Sequence, residues 1–164
     1  MEPFRRRTYH SLGEFLTDVR VVVRNRRRMR TLMRGETISN AFRERLMLAV
    51  TQVNACRYCA DAHAKQALVW GLAEESFADL AEGDFESSPI EERPALLYAQ
   101  HWAEANAQPD PAARRRLHEL YGTEKANAIE LSLRVIRVGN LLGNTWDLLL
   151  YTISRGRWGT DSSN

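Results

Sequence analysis

The spacing of apolar residues constrains the fold of this chain more than any other feature. Apolar side chains recur at intervals of three and four residues, which puts them on one face of a helix that needs a core to pack against. The first such set is Leu12, Phe15, Leu16, Val19, Val22 and Val23. The alternation typical of strands is nearly absent. We therefore predict an all-α fold.

Turn and capping residues divide the chain into helices. Gly35 ends an arginine-rich first helix, and Ser39 is a plausible N-cap for the next one. The predicted helices after it span Asn40–Asn54, Cys56–Trp70, Glu74–Ala81, Ile90–Gln108, Pro111–Tyr121 and Thr123–Ser154. A chain of 164 residues suits one domain. We expect that domain over residues 1–155, with loose termini at 1–9 and 156–164.

Composition narrows the class of protein. The net charge of +2 argues against nucleic-acid binding through overall charge. The first residues lack the apolar core of a signal peptide, and no segment has the length of a membrane span. We expect a cytoplasmic protein without membrane contact. Thiols stay reduced there, so a CxxC pair indicates redox chemistry or metal binding more often than a structural disulfide.

The chain has two cysteines, and both lie in one short motif, Cys56-Arg57-Tyr58-Cys59, followed by His63. On a helix, positions 56, 59 and 63 share one face. The helix N-terminus favours a thiolate, and the imidazole one turn further on can accept the proton of Cys59. The motif therefore predicts a redox-active dithiol at the start of a core helix.

Hairpin geometry adds a carboxylate to this motif. If the helices before and after it turn near Asn54 and Ala55, residues equidistant from the turn face each other. Glu44 lies ten residues before Asn54, and His63 lies nine after it. A buried Glu44 would orient the imidazole and raise its basicity. The predicted catalytic set is Glu44, His63, Cys59 and Cys56.

The segment from Glu44 to Cys59, with His63, resembles the alkylhydroperoxidase AhpD-like branch of the carboxymuconolactone decarboxylase family. The resemblance implies a homo-oligomer, a trimer or hexamer, that reduces peroxides or passes electrons as a disulfide reductase. It implies no cofactor and no metal. Its partners would be a peroxide substrate and an external dithiol or protein reductant. Tyr58 replaces a histidine of AhpD itself, which points to another member of the same family.

The resemblance also implies roles: Cys59 as the peroxidatic cysteine, Cys56 as its resolving partner, and Glu44 with His63 as a proton relay. Proximity to His63 agrees with Cys59, whereas thioredoxin-type CxxC sites use the first cysteine, which favours Cys56. Alternatives are a disulfide reductase, a slow redox-sensing or scaffold protein, and a zinc site formed by the cysteines, His63 and Glu44.

Two other patterns have structural interpretations. The arginines of residues 5–7 and 20–34 suggest a nucleic-acid or anionic-surface binder, but no recognition motif accompanies them. We favour an outer face that is partly paired across a subunit boundary. Gly139 and Gly143, with Asn140 and Asn144, put small residues four apart, which favours close helix packing.

Overall fold

A computed structural model describes residues 4–73, 79–80 and 82–159. In this part of the chain the secondary structure is six helices and no strand, so the all-α prediction is confirmed. The helices are α1 (Leu12–Arg24), α2 (Arg26–Met33), α3 (Asn40–Asn54), α4 (Arg57–Val69), α5 (Arg93–Glu104) and α6 (Pro111–Ile153). None of them is both long enough and apolar enough to cross a membrane.

Helix α3 is the centre of the fold and packs against α4, α5 and α6. It is buried on nearly all sides, as expected for a helix whose apolar residues are not confined to one stripe. The fully buried side chains at this junction are Leu46, Val50, Leu96, Ala99, Ile129 and Leu133. Polar residues that α3 carries are therefore buried as well, and each requires a partner.

The helix ends around the dithiol follow the predicted signals. Ser39 caps α3, because its Oγ accepts a hydrogen bond of 3.1 Å from the backbone N–H of Phe42. The chain then turns at Ala55, which adopts a left-handed conformation with φ 55°. Cys56 is the N-cap of α4, and Gly71 follows that helix with φ 82°. The predicted α3–α4 hairpin is present.

Two predicted helix boundaries are wrong. The arginine-rich first helix breaks at Asn25, whose side-chain amide donates a 2.8 Å hydrogen bond to the carbonyl of Val21 and so competes with the helical pattern. The helix predicted over 90–108 is the shorter α5, since Asn106 and Ala107 are left-handed, with φ 53° and 63°. The break predicted at Gly122 is confirmed: within the helical span α6, Gly122 has non-helical dihedral angles (φ 73°, ψ 161°), so two helices meet there at a kink.

Other expectations concern the predicted 74–81 helix and the termini. Residues 74–78 and 81 lie outside the described residues, so that helix is not described. We expected residues 1–9 to be loose, but residues 4–9 lie along α6. There the backbone N–H of Tyr9 donates to Thr145 Oγ1 at 3.1 Å, and Asn144 Nδ2 donates to the carbonyl of Arg7 at 2.8 Å. The N-terminal segment thereby reaches the start of α4.

Candidate active site

The hairpin of α3 and α4 brings Glu44 against His63. Their contact is 2.7 Å, between Glu44 Oε2 and His63 Nδ1, so the contact that the hairpin register predicts is present. The Glu44 residue is only 2% exposed. Because a carboxylate only accepts hydrogen bonds, Nδ1 carries the proton that it donates to Glu44. This tautomer leaves Nε2 as the atom of the ring that can accept a proton.

Arg43 holds the other oxygen of Glu44. Its Nη2 and Nε donate to Glu44 Oε1 at 2.9 and 3.3 Å, and its Nη1 donates to the carbonyls of Leu32 and Met33, both at 3.2 Å. Burial by itself would raise the pKa of Glu44, but hydrogen bonds from His63 and Arg43 outweigh it and lower that pKa. The carboxylate is therefore ionised and fixed in position, and it is tied to the end of α2.

Cys59 and His63 open onto the same cavity, which has a volume of about 480 Å³. Glu44 contributes to its base, and most of its other walls are apolar. The remaining lining residues are Met33, Arg43, Met47, Tyr58, Ala62, Gln66, Val135, Ile136 and Gly139. Cys59 is half-buried. A small molecule in this cavity would therefore meet a thiol and a carboxylate-supported imidazole together.

Cys56 lies deeper than Cys59. It is 1% exposed, and its sulfur faces α6, where a Cβ added to Gly143 would lie 3.4 Å from Cys56 Sγ. Larger side chains at position 143 would compete with the sulfur for space. The predicted close packing of a small residue is thus present at Gly143, and its neighbour across the contact is the dithiol.

The two thiols share a hydrogen bond, and this bond separates their pKa values. Cys56 accepts this hydrogen bond from the Cys59 thiol, which lowers the pKa of Cys56 from 9.0 to about 7. Burial opposes this shift, and a hydrogen bond from the Cys59 backbone N–H adds to it. The same hydrogen bond, with burial, raises the pKa of Cys59. Asn140 of α6 favours the thiolate form of both. In the reduced pair, negative charge therefore resides on Cys56 and the proton on Cys59.

A second buried carboxylate flanks the dithiol on the side of α6. The side chain of Asp147 is fully buried, and its Oδ1 accepts from Tyr58 Oη at 2.9 Å and from Arg57 Nη2 at 3.0 Å. Its Oδ2 pairs with Arg6 of the N-terminal segment. The Arg57 guanidinium also stacks over the Tyr58 ring, 4.7 Å from its centroid. Both residues between the cysteines are thus anchored to one carboxylate.

Buried amides connect the turn before Cys56 to α6. Asn54 Nδ2 donates to Asn140 Oδ1 and Asn140 Nδ2 donates to Thr51 Oγ1, both at 3.1 Å. Asn144 Nδ2 donates to the carbonyl of Asn54 at 2.7 Å. These bonds fix the start of α4, which carries the dithiol, against α6.

Comparison with known proteins was made at the level of families, of curated sequences and of solved structures. Residues 22–105, about half of the chain, match the model of the carboxymuconolactone decarboxylase family. The chain belongs to this family. No curated protein and no solved structure gives a significant match. The family match contains Glu44, both cysteines and His63, and it ends before α6.

For this member of the carboxymuconolactone decarboxylase family, the site brings together all four residues that we predicted from the sequence. It does not form a metal cluster: within the described ranges, no group of three or more histidine, cysteine, aspartate or glutamate side chains is placed to hold an ion.

Sequence reasoning missed the residues that support these four. Arg43 adjoins Glu44 in the sequence, and a cation next to a buried carboxylate was a signal that could have identified it. Asp147 had no such signal, because it lies 90 positions from Arg57. The sequence pattern indicates only a packing role for Asn140 and Gly143. In the structure, Asn140 hydrogen-bonds both thiols, and Gly143 packs against Cys56.

Proposed function

We propose that this protein is a thiol-dependent peroxidase of the AhpD-like type, which reduces alkyl or hydrogen peroxides through Cys56 and Cys59. One observation carries the proposal: Cys59 and His63 line a single cavity, and His63 is held at 2.7 Å by the buried carboxylate of Glu44. A thiol next to an oriented imidazole is the arrangement that nucleophilic catalysis by cysteine requires.

The proton of Cys59 has a short path to leave. The two thiols already share a hydrogen bond, so the Cys59 proton can pass directly to Cys56. This transfer produces a Cys59 thiolate at the cavity wall and a Cys56 thiol behind it. The Cys59 thiolate attacks the distal oxygen of the peroxide, and the O–O bond breaks. The departing alkoxide takes the proton that Cys56 received, so Cys56 becomes a thiolate again. The products are an alcohol, or water from hydrogen peroxide, and a Cys59 sulfenic acid.

The second half of the cycle uses Cys56. The Cys56 thiolate attacks the sulfur of the sulfenic acid, and the Cys56–Cys59 disulfide forms. The hydroxide that leaves becomes water by taking a proton from solvent, which His63 relays through Nε2. An external dithiol then restores both thiols by exchange and is itself oxidised to a disulfide. We propose a cytoplasmic location, because such a cycle needs a compartment that keeps the donor reduced.

The walls of the cavity favour organic peroxides over hydrogen peroxide. Met33, Met47 and Ile136 contribute apolar surface, and the volume of about 480 Å³ exceeds what hydrogen peroxide needs. Burying apolar groups of a substrate stabilises the complex by roughly 25 cal/mol per Å². We therefore propose that alkyl hydroperoxides are the better substrates.

A second candidate function is the reduction of disulfides. It is favoured by Cys56, whose lowered pKa of about 7 leaves about half of it ionised at neutral pH, and the thiolate is the reactive form in thiol–disulfide exchange. Against it, Cys56 is 1% exposed, so a disulfide substrate would reach Cys59 first. Peroxide reduction accounts better for the placement of His63 and Glu44.

We also propose that the protein is a homo-oligomer, a trimer or hexamer. The support is an exposed apolar stripe on α6 whose members are spaced four, three and four residues apart. They are Leu142, Trp146, Leu149 and Ile153, with exposures of 52%, 57%, 47% and 66%. Stripes of this kind mark protein–protein contacts. Sedimentation velocity measures the mass directly, and a monomer at micromolar concentration would contradict this assignment.

The test of the peroxidase is stopped-flow tryptophan fluorescence of the fully reduced protein mixed with cumene hydroperoxide or hydrogen peroxide. Thiols are counted before and after the reaction. We expect rapid loss of both thiols in the wild type. Cys59→Ser should abolish the first oxidation, whereas Cys56→Ser should allow it and stop at the sulfenic acid, which a dimedone adduct detects by mass spectrometry.

Other outcomes separate the candidates. Oxidation no faster than that of a free thiol would overturn the peroxidase, and fast exchange with a small disulfide would then support the reductase. If Cys56→Ser, rather than Cys59→Ser, abolishes the first oxidation, the peroxidase stands and the roles of the two cysteines are reversed.

A further inference from the structure

The arginine segment, residues 20–34, is the most asymmetric charge feature of the molecule. It holds seven arginines and no acidic residue, so in a chain of net charge +2 the remainder carries −5. All seven side chains are exposed. Within the described part of the chain, Arg34 of this segment forms a loose, exposed ion pair of 3.7 Å with Glu36. The segment thus presents a strong positive potential to solvent.

One face of this segment leads to the candidate active site. Arg26, Arg30 and Met33 are spaced four and three residues apart, which places them on one side of α2. Met33 is 50% exposed and is also a wall of the cavity that holds Cys59. Arg28 lies on the opposite side of α2, in a separate cleft beside Trp102. The Arg26–Arg30 face therefore continues along α2 from Met33, a lining residue of the cavity that holds Cys59.

We propose that the Arg26–Arg30 face of α2 docks an acidic protein dithiol, the electron donor that reduces the Cys56–Cys59 disulfide. The proposal rests on the proposed function, which requires such a donor. Guanidinium groups bind carboxylates through paired hydrogen bonds, and opposite potentials speed encounter between proteins. A donor held on this face would have its thiols next to the opening at Met33.

The composition of the face favours a protein over a nucleic acid. Residues 20–34 contain no aromatic side chain on which a base could stack. Instead, Val23 and Met33 are exposed apolar residues among the arginines, at 55% and 50% exposure. Apolar side chains surrounded by arginine are typical of protein–protein contacts.

The chemical step in this complex is thiol–disulfide exchange. A donor thiolate attacks Cys59 Sγ, which lies at the cavity wall, and the Cys56–Cys59 bond breaks with its electron pair on Cys56. The second donor thiolate then attacks the donor sulfur of the mixed disulfide, and Cys59 leaves. His63 lies on the same cavity and can return a proton to Cys59. The donor ends as a disulfide and the protein as a dithiol, so electrons and protons balance.

The experiment measures this reduction alone. The protein is first oxidised with diamide, so the result does not depend on peroxidase activity, which the stopped-flow test above addresses. The probes are synthetic Cys-Gly-Pro-Cys peptides extended by glutamates or, as a matched control, by glutamines. Thiol recovery is followed against ionic strength. We expect the glutamate peptide to react about tenfold faster at low salt, and the advantage to vanish at high salt.

Arg30→Glu and Arg28→Glu form a matched pair, because they make the same charge change on opposite sides of one short helix. We expect R30E to lower the rate with the glutamate peptide, relative to its rate with dithiothreitol, about three- to tenfold. R28E should leave this ratio near the wild-type value. R26E is the second variant on the docking face and should behave like R30E.

Three results would overturn the proposal. Equal rates for the two peptides would show that the face does not select acidic donors. If R30E and R28E lower the rate with the glutamate peptide equally, the effect depends on the net charge of the protein and not on the Arg26–Arg30 face. Salt-sensitive binding of RNA or of phosphatidylserine vesicles that R30E abolishes, without any peptide preference, would assign the face to a phosphate surface instead.

Discussion

The dithiol is flanked by two buried carboxylates that are built in different ways. On the Glu44 flank, Glu44 contacts His63 and Arg43, and all three lie within one helical hairpin. On the Asp147 flank, Asp147 of α6 contacts Arg57 and Tyr58 of α4 and Arg6 of the N-terminal segment. The residues that contact each other on the Glu44 flank are at most 19 positions apart in the sequence, whereas Arg6 and Asp147 on the other flank are 141 positions apart.

This difference separates two tasks. Glu44 contacts His63, to which we assign proton exchange in the proposed reaction, whereas Asp147 contacts the two residues between the cysteines. The negative charge of Asp147 also opposes the Cys56 thiolate and moderates the lowering of its pKa. We infer that the Glu44 flank controls the rate of the proposed reaction and that the Asp147 flank controls the conformation and charge of the dithiol.

The largest expected effect is on the Glu44 flank. Glu44→Gln leaves Arg43 buried without a charged partner, and we expect it to lower the free energy of unfolding by about 3 kcal/mol. Loss of the carboxylate behind His63 should slow thiol oxidation about a hundredfold or more. Urea unfolding and stopped-flow oxidation measure the two quantities.

The matched control for Glu44→Gln is Glu92→Gln. It removes the partner of Arg45, which lies on α3 like Glu44 but forms its ion pair of 2.6 Å with the N-cap of α5, away from the cavity. We expect it to leave the oxidation rate unchanged. Because the folded-state pKa of Glu44 is lowered, its contribution to stability is present above the unfolded-state pKa and is lost as the pH falls through the folded-state value. Equal acid sensitivity of wild type and Glu44→Gln would contradict this.

An intermediate effect is expected on the Asp147 flank. In the wild type, the rate of Cys56 alkylation by iodoacetamide should rise with pH around a midpoint of about 7, as the thiolate forms. Asp147→Asn removes the negative charge that opposes this thiolate and the buried carboxylate that Arg57 and Arg6 contact. The midpoint should therefore move to lower pH, while stability falls by about 2–3 kcal/mol. Alkylation is followed by mass spectrometry in Cys59→Ser and wild-type backgrounds.

Asp18→Asn distinguishes an electrostatic role of Asp147 from a structural one. Asp18 is also buried between two arginines, Arg134 and Arg137, but it joins α1 to α6 away from the dithiol. Its replacement should lower stability and leave the alkylation midpoint in place. If Asp147→Asn also leaves the midpoint in place, the Asp147 flank is only structural.

The smallest expected effect concerns the contact between Cys56 and Gly143 of α6. Gly143→Ala adds a Cβ at 3.4 Å from Cys56 Sγ, an ordinary contact distance that excludes a little more solvent. We expect the alkylation midpoint to rise by about a few tenths of a pH unit. Stability should change by about 1 kcal/mol or less, because alanine favours the helix. Gly139→Ala, whose Cβ would meet nothing within 4 Å, is the control and should not move the midpoint.

Local patterns accounted for the all-α class, the caps at Ser39 and Gly71, and the contact of Glu44 with His63. Each depends on residues within one helix or one hairpin, where helical periodicity converts spacing into position. Local patterns also accounted for the break at Gly122, whose dihedral angles are non-helical. The same reasoning was wrong at Asn25, where a side-chain hydrogen bond to the carbonyl of Val21 interrupts the predicted helix.

The sequence by itself therefore determined which residues carry the proposed chemistry, because Cys56, Cys59, His63 and Glu44 lie on two helices joined by one turn. Only the tertiary structure decided what surrounds them. Asp147 reaches Arg57 because α6 packs across α3 and α4, and no periodicity connects positions so far apart. The order of the two thiol pKa values was decided there too, since it depends on burial, on Asn140 and on the direction of one hydrogen bond.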